Sequence, residues 1–178
     1  MKKTIIIVVA LIFLAVIFAG CGDDSNDTSA SAGPAALKPL EVVGKGSYTH
    51  EIFGVTTAFK VPEGWCARLN TDGWRISVYN ISPQDEDFNY NGTPMIGITF
   101  EEDSSDFVSP EYTRRIDDRV IGGIEMEGHM GIMVDDEFIF YLGYADNGVL
   151  IEVSSFFDLD IQSGEGKAVL DSIQFTVD

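Results

Sequence analysis

Residues 120–157 form the most β-rich tract of the chain, interrupted at Gly122-Gly123, Asp135-Asp136 and Asn147-Gly148. Runs of β-branched and aromatic residues bounded by such turn signals read as strands that pair with one another. The spacing predicts a strand over 120–127, loosened at Gly122-Gly123, and a shorter one over 130–134 that turns at Asp135-Asp136. Residues 137–144 and 149–157 then form a hairpin, with Asn147-Gly148 supplying the positive φ angles of a tight type I′ turn.

Working outward, residues 48–53 and 55–61 read as two strands about Gly54, the second placing Val55, Thr57, Phe59 and Val61 on one face. Pro62-Glu63-Gly64 ends it, and Trp65 folds back as a core plug. Trp74, Ile76 and Val78 alternate against Arg75, Ser77 and Tyr79, which predicts a strand with one wet face. Ile96, Ile98 and Phe100 share a face of another. Ser109-Pro110-Glu111 combines a capping hydroxyl, a proline at the first helical position and an acid in the first turn, predicting a helix to Asp117 or Asp118. Ser163 caps a second helix through Val169, Leu170 and Ile173, which passes into a strand over 173–177. Strands, a helix, more strands and a short helix indicate an α+β fold, an antiparallel sheet with a few helices packed on it.

The other end of the chain addresses location. Lys2-Lys3 precede an uncharged, mostly apolar run over 5–19, which closes on Ala19-Gly20 before Cys21. A run of about 15 apolar residues suits an export leader, whereas a membrane span needs about 20. The small pair before Cys21 resembles the lipobox of bacterial lipoproteins, and that resemblance implies a diacylglyceryl group on the Cys21 sulfur and removal of residues 1–20. Residues 21–39, rich in Asp, Ser, Asn, Ala and Gly, form a flexible linker, leaving 40–178 as a single domain. Gly22 after Cys21 argues, by analogy with lipoprotein sorting, against retention at an inner membrane.

A second resemblance concerns that domain. Phe59-Lys60-Val61-Pro62-Glu63-Gly64-Trp65 and the ending Val169-Leu170-Asp171-Ser172-Ile173-Gln174-Phe175 are similar to segments of the PsbP-like fold, over about 48–177. The resemblance implies a binding or accessory module with no common catalytic apparatus.

Composition narrows the chemistry. Without Lys2 and Lys3 the chain carries nine basic against 29 acidic residues, a net charge of −20. Such a surface repels nucleic acid and anionic headgroups. The membrane is therefore reached through lipid on Cys21, and the expected partner is another component of the cell envelope on the extracytoplasmic side. With Cys21 committed to lipid, Cys66 has no disulfide partner and reads as a small buried apolar residue.

Two motifs carry alternative chemistry. Asp85, Asp87, Asn89 and Asn91 place oxygen side chains at alternate positions before Gly92, the spacing of a Ca²⁺-wrapping loop, although the acid expected at its twelfth position falls at Ile98. Met126, His129, Met130 and Met133 are soft-metal ligand types, but one flat strand divides them between two faces. His50-Glu51 lacks a metalloprotease context and no Gly-x-Ser-x-Gly elbow occurs, so no catalytic residue is assigned. The expected role is a non-catalytic, membrane-tethered lipoprotein. The alternative is a Ca²⁺-dependent module or envelope hydrolase built on acidic loops.

Overall fold

The computed structural model describes residues 34–82, 84–89, 92–102, 113–133 and 136–177. In chain order the strands are β1 (Ala35–Ala36), β2 (Val42–Val43), β3 (Gly46–Ile52), β4 (Val55–Val61), β5 (Cys66–Leu69), β6 (Arg75–Tyr79) and β7 (Met95–Glu101). They continue as β8 (Arg114–Arg115), β9 (Arg119–Ile121), β10 (Ile124–Met133), β11 (Asp136–Tyr144), β12 (Leu150–Phe156) and β13 (Gln174–Val177). One helix, α1 (Gly164–Ser172), precedes β13.

These strands make two sheets. The smaller runs β1-β3-β4-β13, and the larger β2-β5-β6-β7-β12-β11-β10-β8, with β9 pairing the start of β10. Pairing is antiparallel throughout except between β1 and β3. Strands hold 54% of the described residues and α1 only 7%, so the fold is β-rich and the expected α+β class is corrected. Five of the six strands of two to four residues, β1, β2, β5, β8 and β9, account for much of the difference. They are too short to carry a periodic signal and exist because a neighbouring ladder accepts them.

The core lies between the sheets. Ile52, Val55, Phe59 and Val61 of the smaller sheet meet Ile76, Val78, Ile96, Ile98, Ile151 and Val153 of the larger, all at 5% exposure or less. Burying each such side chain is worth about 1.5–3 kcal/mol over leaving it exposed. Helix α1 adds Val169 and Leu170 to this core. Trp65 joins them there, its Nε1 donating to Glu165 Oε2 on α1 at 3.0 Å, so the expected core plug is also a clamp between strand and helix.

Several local expectations hold. β3 and β4 turn at Phe53-Gly54 with Ile52 opposite Val55, and α1 begins after Ser163 and passes directly into β13. The hairpin β11–β12 also forms, but its turn is not type I′. Only Gly148 has positive φ (+87°); Gly148 N donates to Ala145 O at 2.8 Å and Ala145 N to Val149 O at 3.0 Å. This is a three-residue loop closed by a left-handed glycine.

Others are overturned. Gly122 and Gly123, at φ +60° and +91°, do not loosen one strand but reverse the chain between β9 and β10, with Ile121 opposite Ile124. Gly128 does not break β10, which runs ten residues. The helix expected up to Asp117 or Asp118 is absent where the chain is described, because Arg114–Arg115 pair with Met130 and His129 as β8. Its predicted start at Ser109 lies outside the described residues. The wet face expected of β6 is also mistaken, since Ser77 and Tyr79 are 7% and 3% exposed.

Candidate functional site

The structure first places the residues singled out in the sequence. Cys21 and Asn91 lie outside the described residues. Asp85, Asp87 and Asn89 are exposed in the loop joining β6 to β7. Asp85 Oδ1 accepts from Asp87 N at 3.1 Å, an Asx turn, while Thr93 Oγ1 accepts from Asn89 N at 2.9 Å. The Asp85 and Thr93 side-chain oxygens thus serve the loop's own backbone. Among the described residues no three His, Cys, Asp or Glu side chains converge as a metal-ligand set.

The methionine and histidine strand is divided as its parity requires. Met126 is 1% exposed in the main core, whereas the His129 ring stacks on Phe140 at 5.0 Å and 10°. Met130 Sδ contacts Arg114 Nη2 at 2.9 Å. Cys66 is buried, and desolvation pushes its thiol up to about 11, so it stays protonated and inert at neutral pH.

The face of the larger sheet turned away from the main core holds a feature that the sequence did not announce. Register lines up Arg75, Thr99, Glu152, Leu142 and Glu127 in one row, and Ser77, Gly97, Ser154, Phe140, His129 and Arg115 in the next. Rings then continue from Phe140 to Phe138 at 5.4 Å and on to Phe156 at 5.9 Å, where the Arg75 guanidinium carbon sits 5.1 Å from the ring centre. Arg75 lies across Gly97, where a Cβ would stand 2.8 Å from Nη2. Burial pulls Arg75 below its usual range, opposed by the charges of Glu152 and Tyr79. Burial likewise raises the Glu152 carboxyl, while Ser154 and Arg75 favour its ionised form and Glu101 disfavours it. The Ser154 hydroxyl, 1% exposed, eases that charge without a well-formed hydrogen bond, and Arg75 Nε is buried without a partner. This row was hidden because Arg75, Ser77 and Ser154 look like solvent-facing positions of alternating strands.

Two clefts open on the surface. One of about 400 Å³ is lined by Glu125, Glu127, His129, Leu142, Gly143, Tyr144 and Leu150. At its rim Arg115 bridges Asp118 at 2.7 Å and Glu127 at 2.6 Å, and approaches His129 Nε2 at 3.3 Å. These are exposed pairs, worth at most about 1 kcal/mol. The other cleft, about 370 Å³, is lined by Phe53, Trp74, Phe100, Glu101 and Glu102. Phe53 and Trp74 are 41% and 38% exposed, while Phe100 forms a buried floor.

The positions of those two aromatics are fixed by the backbone. Phe53 has φ +52° and Gly54 φ +72°, the mirror-image turn that favours Asn-Gly. A bulky residue in the left-handed region costs about 1–2 kcal/mol. Asn147 Nδ2 donates to Phe53 O at 3.0 Å and holds the turn to the β11–β12 loop. Trp74 N donates to Asn70 Oδ1 at 2.9 Å, and Phe100 N donates to Trp74 O at 3.0 Å. No family model matches the chain, nor does any curated protein or solved structure.

Proposed function

We propose that this chain is an extracytoplasmic lipoprotein, tethered to the membrane through Cys21, whose β-rich domain serves as a non-catalytic binding module of the cell envelope. The observation that carries the reading is the sequence at its start: Lys2-Lys3, the uncharged run over 5–19, and Ala19-Gly20 immediately before Cys21. One acyl chain holds a bilayer only marginally, whereas two or more, at about 0.8 kcal/mol per buried methylene, make a durable anchor. The inert, buried Cys66 supports the assignment of thiol chemistry to Cys21. The binding role is implied by the resemblance to PsbP-like accessory proteins, and the clefts beside Tyr144 and between Phe53 and Trp74 offer surfaces for it.

Metabolic labelling with an alkyne fatty acid tests the anchor. The wild type takes up label, partitions into detergent and has an intact mass that begins at a lipid-modified Cys21. Cys21→Ala takes up none and keeps its leader. A wild-type product with a bare Cys21 sulfur, or one retaining residues 1–20, overturns the reading. Crosslinking in native membranes then tests the module, whose expected yield is a reproducible envelope partner lost on denaturation.

A further inference from the structure

Large apolar side chains left half-exposed beside one another require an explanation, and Phe53 carries a second irregularity. Its turn would be relaxed with asparagine, yet the chain keeps a benzyl group there in a backbone conformation such residues avoid. The strain and the exposure coincide at one residue, and that residue lines a cleft. Across the opening stands Trp74, also exposed, with its backbone held on both sides by Asn70 and Phe100. The backbone that carries both aromatic walls is therefore set before a ligand arrives.

The remaining lining identifies the chemistry. Among the described residues Glu101 and Glu102 are the charged groups of this cleft, and no basic side chain lines it. An anion is repelled there, a wholly apolar ligand gains nothing from two carboxylates, and a hard divalent ion gains nothing from three aromatic rings. Electron-rich aromatic faces beside carboxylates favour a diffuse positive charge on an apolar framework. A space of about 370 Å³ suits a small molecule. We propose that the cleft between Phe53 and Trp74 binds a small organic cation with an alkylated ammonium head, with Glu101 and Glu102 supplying the counter-charge. The site stands on this geometry alone and does not depend on whether Cys21 is lipidated.

Isothermal titration of the full chain in detergent with choline tests it, using 3,3-dimethylbutan-1-ol as the uncharged isostere. Choline binds saturably, and the alcohol roughly tenfold more weakly or not at all. Trp74→Ala loses about tenfold in affinity, and the pair Glu101→Gln with Glu102→Gln several-fold, with unchanged near-UV circular dichroism. Phe53→Asn is the sharpest variant: it relaxes the turn and raises the melting temperature while weakening choline binding. Glycerophosphocholine competes with choline if the natural source is a lipid headgroup and does not if it is a free cation; the site is upheld in both cases. Absence of choline binding up to about 50 mM, equal binding of the alcohol, or unchanged affinity in Trp74→Ala or Phe53→Asn overturns the proposal.

Discussion

Glycine at position 128 shows how little room single residues have in this molecule. A Cβ there would lie 2.3 Å from the Asp117 carbonyl oxygen and 2.8 Å from an Ile116 side-chain carbon. The obstruction is main chain, which cannot rotate aside, so Gly128→Ala should destabilise by about 1–3 kcal/mol, read from urea denaturation. Glu152 makes a prediction of a different kind. Burial raises its carboxyl above the usual range, so folding favours the protonated form. The associated stability is complete below the unfolded-state value and is lost as pH rises through the raised one. Wild type should therefore gain stability relative to Glu152→Gln as pH falls from about 7 to about 4, with the two converging at the acid end. Denaturation curves at a series of pH values check this, and a parallel pH dependence in both proteins contradicts it.

At the level of elements, α1 depends on what it covers. Its exposed face is polar and its grip comes from Val169 and Leu170, with Trp65 fastened to Glu165 at its first turn. Leu170→Ala should cost about 2–5 kcal/mol by denaturant titration, because the cavity opens at the junction of helix and sheet. The long strands and this helix were legible in the sequence because each repeats its pattern over several residues, as Val55, Phe59 and Val61 do, or Ile96, Ile98 and Phe100. The short strands were not. Arg114–Arg115 carry no strand propensity of their own and pair only because the rim of β10 is beside them. Asn147-Gly148 correctly announced a hairpin but not its loop length, since a left-handed glycine serves two turn geometries. Of the candidate sites, the Asp85 loop was legible as a motif, and where it is described Asp85 caps the Asp87 amide. The Phe53–Trp74 cleft was not legible, because these two residues lie 21 positions apart, in the β3–β4 turn and the β5–β6 turn.

For the whole molecule, charge is the governing quantity. The chain carries 29 acidic against 11 basic residues, and the described ion pairs are mostly exposed. Self-repulsion opposes compactness, so the melting temperature should rise by several degrees between about 10 and 150 mM NaCl, as the screening length shrinks from about 30 to 8 Å. A midpoint unmoved by salt in differential scanning calorimetry contradicts this. The rims of the larger sheet point to a different collective property. Among the described residues it ends on one side in Val42–Val43 and on the other in Arg114–Arg115, two residues each. At either rim of this sheet a neighbouring copy meets a two-residue stub where a long hydrogen-bonding margin would invite the two to zip together. Dense populations of this protein should accordingly remain separate bodies, resistant to fibril growth.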